Sequence, residues 1–149
     1  MTVVVDANLL ASQALPLPYG DLAIQRLVLW QTSEELLLAP MLMVYELTTI
    51  MRKAVTAGWL SDGTAADRLS EILQVGPRLI PPDDYLNREA LRWAKRLGQN
   101  KAYDAHYLAL AARENATLWT ADRRLANGSR QAGFAQVQWI GDWTPDSDA

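Results

Sequence analysis

Cysteine is absent from the chain. That excludes disulfides and thiolate metal sites and fits a reducing compartment, so the cytoplasm is the expected location. No apolar run approaches the ~20 residues that span a bilayer, and the opening MTVVVD lacks the basic region of a signal peptide; neither a membrane anchor nor export is expected. Histidine is nearly missing too, with His106 alone, so no pair of suitably spaced histidines is available to a metal. A basic surplus is also lacking. The formal net charge of −3 and a pI near 5.1 argue against a general nucleic-acid coat protein and leave room only for a local basic patch. There are no internal repeats, and 149 residues suit one domain with a sizeable core.

What is present alternates. TVVVDAN opens with β-branched residues, the pattern of a strand over 2–6 buried on both faces. After PLPYG, Asp21 is placed to cap a helix carrying Ile24, Leu27, Val28 and Gln31. ELLLAP reads as a second strand, and Pro40 suits the first turn of a helix through Val44, Leu47, Met51 and Ala54 that Gly58 stops. A helix over 64–75, a short edge-like strand RLIP at 78–81 and a helix started by Asp83 or Asp84 and ended by Gly98 follow. A helix from Asp104, the strand TLWT at 117–120, a helical turn after Asp122 and the strand VQWI at 137–140 close the pattern. The expected fold class is therefore α/β, a central parallel sheet with right-handed crossovers and helices on both faces. The expected domain covers 1–143, and the polar tail at 144–149 is expected to fray.

Ligands of such sheets bind beyond the carboxyl ends of the strands, where the strand order reverses. Asp6 closes the first strand, and Asp122 follows TLWT by two residues. Asp104 begins the helix leading into TLWT, and a helix antiparallel to that strand starts near the same edge. Glu46 shares a helical stripe with Met43 and Ile50, which suggests partial burial. Four acids can thus converge. Two carboxylates about 5 Å apart repel by roughly 3 kcal/mol at an effective dielectric of 20. A divalent cation relieves this, and an all-oxygen donor set favours Mg²⁺ or Mn²⁺ over zinc. That composition points to phosphodiester chemistry with water as the nucleophile.

Four segments carry these acids in order: VVVDAN around Asp6, VYEL around Glu46, YDAHYLALA around Asp104 and LWTADRRL around Asp122. Together, in a chain of this length, they resemble the PIN-domain ribonucleases, especially the VapC-like toxins of toxin-antitoxin pairs, over nearly the whole chain. The resemblance implies a single PIN-like nuclease domain that cleaves RNA endonucleolytically with a divalent metal. Asp6, Glu46, Asp104 and Asp122 would then be the catalytic, metal-holding cluster, and Thr120 would add a hydroxyl. It also implies a homodimer and a small antitoxin partner. Asn8 stands where many relatives carry Ser or Thr, and either can orient a water.

Each acid also has a plainer use. Asp6 suits a strand-end turn, Asp104 and Asp122 suit helix N-caps, and Glu46 can reach from its helix to solvent. His106 lies roughly 200° round the helix from Asp104 and is expected to face elsewhere. The tryptophans are expected to pack, with Trp143 beside the polar tail the one expected to be exposed. Arg52, Lys53, Lys101, Arg123 and Arg124 lie near the acidic motifs and could flank an RNA groove, although Arg123 and Arg124, about 100° apart on a helix, are not expected to point the same way. Unpaired or loop RNA fits best, because its bases can splay out. Three alternatives remain. A structure-specific DNA nuclease usually carries insertions for which this chain has little room. A non-catalytic PIN-like interaction module would lose acids that are all present here. A phosphotransferase with an aspartyl nucleophile wants a second acid where the chain has Asn8.

Overall fold

The computed structural model describes residues 1–148. Along the chain run β1 (Thr2–Val5), α1 (Ala7–Ala11), α2 (Gly20–Gln31), β2 (Leu36–Pro40), α3 (Leu42–Thr56), α4 (Asp62–Val75), β3 (Arg78–Ile80), α5 (Asp84–Leu97), α6 (Tyr103–Arg113), β4 (Thr117–Thr120), α7 (Arg123–Gln131) and β5 (Val137–Trp139). Two 3-10 turns, Ile140–Asp142 and Pro145–Asp148, follow; Ala149, the end of the segment expected to fray, lies outside the described residues.

All five strands are parallel in the order β3-β2-β1-β4-β5. From β1 the chain builds outward through β2 to β3, then returns to lay β4 on the other side of β1 before adding β5. The order therefore reverses between β1 and β4, whose carboxyl ends are Val5 and Thr120. Successive strand residues point to opposite faces. Val3, Val4 and Val5 are all buried, so helices cover both faces, as expected from the β-branched run. Leu9, Leu10, Met43, Leu47, Leu108 and Leu118, all almost fully buried and contributed by helices and by β4, seal that sandwich.

Several local expectations give way. A short helix, α1, follows β1 directly where only a polar strand end was expected. Asp21 does not cap α2: the chain enters that helix through Tyr19 at φ 61°, whose ring meets Trp139 edge-on, and Asp21 falls in the first turn. The face α2 buries is Ala23, Leu27 and Trp30, which leaves Ile24, Val28 and Leu29 exposed. Pro40 ends β2 instead of opening α3. The β1 ladder stops at Leu38, and Met41 N–H turns to the Ile80 carbonyl at 2.9 Å, so the donor Pro40 lacks would have pointed past the end of β1. Trp143 is buried: the Arg26 guanidinium sits over its ring at 5.4 Å and over Trp119 and Trp30 at 4.7 and 4.9 Å. The turn after Asp122 grows into the full helix α7. Ser61 and Asp83 cap α4 and α5 through their side chains, and Gly98, at φ 68°, ends α5.

Candidate active site

Asp6 stands immediately after β1, at the reversal of strand order, and is buried. Its Oδ1 accepts the Leu9 N–H at 3.0 Å and thereby caps α1. Its Oδ2 accepts the Thr120 hydroxyl at 2.5 Å and the Ala121 N–H at 3.3 Å from the end of the neighbouring strand. Burial pushes the Asp6 carboxyl up to about 6 against these hydrogen bonds, and the charge of Glu46 adds to the rise.

Thr120 also ties in the next acid, because its Oγ1 accepts the Asp122 N–H at 2.9 Å. Asp122 then caps α7, its Oδ1 accepting from the Arg124 and Leu125 N–H groups at 2.9 and 3.3 Å. The hydroxyl expected at Thr120 is thus engaged with both strand-end acids. Glu46 projects from α3, and its Oε1 accepts the Tyr107 hydroxyl at 2.6 Å. Burial raises its carboxyl, and the Asp104 charge adds to this. Asp104 lies in the first turn of α6 without capping it; its Oδ2 accepts from Gln99 Nε2 at 3.1 Å. Burial lifts this carboxyl as well, with a contribution from Asp122.

All four acids line one cavity of about 640 Å³, together with Asn8, Lys53 and Tyr107. Their charges influence one another in series, Glu46 on Asp6, Asp104 on Glu46 and Asp122 on Asp104. Glu46 Oε2, Asp104 Oδ1 and Asp122 Oδ2 accept no hydrogen bond from the described residues. Among the described residues, no three acidic or histidine side chains stand close enough to grip one ion as they are placed. A hard divalent cation fits the site in donor chemistry and charge, since carboxylate oxygens surround the cavity and each repels the next. Holding it would require the side chains to draw inward.

The basic residues divide. Lys53 lines the acidic cavity. Arg123 and Arg124 both line an adjoining depression of about 380 Å³ that shares Asn8 and Asp122 with it, contrary to the expectation from helix phase; Arg123 lies over the Trp139 ring at 5.1 Å. Their position at the first turn of α7, beside the strand-end loop, lets them reach the same space. Arg52 points to Asp62, 3.7 Å away and exposed, and Lys101 lines neither space. His106 lies outside the acidic cavity, as expected, and burial makes its imidazole less basic. Tyr107 was missed. It stands three residues after Asp104 in YDAHY and so shares its helix face, a signal that was available.

A family model described as PIN domain matches residues 3–130. A search of curated proteins found no match. Among solved structures, PAE2754 from Pyrobaculum aerophilum is 24% identical over 86% of this chain and 79% of that one, with a TM-score of 0.63. The sarcin-ricin loop cleaving toxin VapC20 of Mycobacterium tuberculosis is 16% identical over 91% and 98% of the two chains, at 0.65. A toxin-antitoxin complex from Klebsiella pneumoniae is 16% identical over 93% and 97%, at 0.60. At these identities the likeness is one of fold.

Proposed function

The chain belongs to the PIN domain family, and on that footing we propose that it is a metal-dependent endoribonuclease, the toxin of a toxin-antitoxin module. The observation that carries the reading is the lining of one cavity, at the reversal of strand order, by Asp6, Glu46, Asp104 and Asp122. A bound Mg²⁺ or Mn²⁺ would neutralise these acids, polarise a phosphate and make a water more acidic. The chain's own groups do the rest. Thr120 donates to Asp6, Tyr107 to Glu46 and Gln99 to Asp104, so these three carboxylates are oriented on the cavity wall from which they would draw inward on an ion. Asn8, on the same cavity wall, would orient the attacking water. Lys53, with Arg123 and Arg124 in the adjoining depression, draws the phosphate chain to an otherwise acidic mouth.

RNA is favoured over DNA by a relative named for cleaving the sarcin-ricin loop, and an antitoxin partner by a relative solved as a toxin-antitoxin complex. A homodimer in the cytoplasm completes the reading. The uncovered side chains of Ile24, Val28 and Leu29 along α2 suit a contact with a second copy, and no helix among the described residues is long and apolar enough to cross a membrane. The deciding experiment incubates purified protein with mixed RNAs and DNAs, with Mg²⁺ or Mn²⁺ and with chelator, and maps the cut ends. Metal-dependent cuts in RNA bearing 5′-phosphate and 3′-hydroxyl ends are expected. Cyclic-phosphate ends would assign the attack to the RNA's own 2′-hydroxyl, cleavage persisting in chelator would remove the metal, and exclusive cutting of structured DNA would favour the alternative nuclease.

A further inference from the structure

A second cavity, of about 240 Å³, shares part of its wall with the acidic one. Leu42, Tyr45 and Tyr103 line both, and the wall of the second also includes Ile80, Leu86 and His106. The contrast with the carboxylate site is complete, since this lining holds no aspartate, glutamate, lysine or arginine. Between the two spaces stand large aromatic rings left in water: Tyr45 is 68% and Tyr103 55% exposed.

We propose that this apolar cavity is a nucleobase subsite, which takes one unpaired base of the RNA strand whose phosphate lies against the carboxylates; the inference rests on the ribonuclease reading and names how that site selects its substrate. Size supports a single ring system. A space of about 240 Å³ is enough for one flat ring system such as a nucleobase. Position supports it equally, because base and phosphate of one nucleotide are joined through a single sugar, and the two cavities share three residues. The chemistry matches as well. Tyrosine rings at the rim offer faces for stacking, which every base can use. The His106 ring nitrogens on the cavity wall can hydrogen-bond the edge of a base. The depression of Arg123 and Arg124 shares Asn8 and Asp122 with the acidic cavity and no residue with the apolar one. The strand would therefore cross the site from an uncharged base pocket, over the acids, to a basic shelf for the next phosphates.

The test uses a short oligoribonucleotide that the wild-type protein cuts, and a series in which each nucleotide in turn is made abasic. Cleavage is compared for the wild type, for His106→Ala and for Ile80→Trp, which fills the cavity, with melting temperature and its metal-induced rise confirming that both variants fold. One abasic position beside the cut should lower the wild-type kcat/KM by about tenfold or more, chiefly through KM. In both variants the intact oligonucleotide should already be impaired, and the same abasic change should add little. Equal cleavage of the whole abasic series by the wild type overturns the subsite and leaves the ribonuclease reading standing, as does a base effect that persists undiminished in both variants. Variants that keep the base effect but escape inhibition by the antitoxin would assign the cavity to the protein partner instead. Anisotropy binding of the same series to Asp104→Asn provides a readout without turnover: a preference for the base at the same position supports the subsite, and RNA neither bound nor cut overturns both readings.

Discussion

Replacing Asp6 with Asn should make the metal-free protein more stable at pH 7.5, although it alters a buried side chain that accepts three hydrogen bonds. In the folded chain this carboxyl is raised from 3.8 to about 6, first by burial and lastly by Glu46, with Thr120, Leu9 and Ala121 opposing. That rise corresponds to about 3 kcal/mol of disfavoured charge once the group is ionised. The sign follows from proton counts. Between 3.8 and about 6 the folded state keeps a proton that the unfolded state has released, so stability falls as pH rises through this window and levels off above it. Asn mimics the neutral acid but must turn its NH₂ toward one backbone donor, losing about 1 kcal/mol. The net gain is about 2 kcal/mol at pH 7.5, or about 4–8 °C in melting temperature for a chain of this size. It should shrink to well under 1 kcal/mol at pH 5 and change sign between about pH 4 and 5. Thermal melting followed by circular dichroism in excess chelator, from pH 4 to 8, reads both the gain and the crossing. A variant that melts below wild type at pH 7.5, or a difference that stays flat across the range, would refute a strained Asp6 carboxylate.

Asp104→Asn should melt at or above the wild type in chelator, gain less from added Mg²⁺ or Mn²⁺, and cleave on the order of a hundredfold more slowly; unchanged cleavage and an unchanged metal effect would remove Asp104 from the site. Tyr107→Phe deletes the hydroxyl that donates to Glu46 at 2.6 Å and should cost about 1–2 kcal/mol in denaturant unfolding with the circular dichroism spectrum unaltered, whereas an unaltered midpoint would argue that the contact contributes nothing. Expression of the protein alone should arrest a bacterial host, and co-expression of the product of the neighbouring reading frame should restore growth. Harmless expression across several hosts, with no inhibitor encoded nearby, would count against a toxin.

The alternation of strands and helices was legible because each element carries its own periodicity, and that alternation was enough to bring Asp6 and Asp122 to one edge. Elements governed by tertiary contacts were not legible. Five-residue α1 has too few residues to show a helical period, and its signal lies in a cap, Asp6 Oδ1 to Leu9 N–H. On α2 the apolar residues outnumber the buried ones, so composition could not tell whether Ile24 and Val28 or Ala23 and Trp30 face the core. Trp143 was misplaced because its burial depends on Arg26, 117 positions earlier, whose guanidinium lies among three indole rings. For the site, helical spacing placed Glu46 and should have flagged Tyr107, but the link through Thr120 joins Asp6 to Asp122 across two paired strands and is visible only once β1 and β4 lie side by side.

The four acids differ in what the fold would lose without them. Asp122 starts helix α7 through two backbone hydrogen bonds, a duty that a descendant with no remaining activity would still need filled. Asp6, Glu46 and Asp104 are each raised by burial in the metal-free protein. In a lineage released from selection for cleavage, neutral replacements such as Asn should therefore reach those three first, while Asp122 lingers as architecture. A degenerate copy of this gene would keep the acid that caps and lose the three that report whether it still cuts.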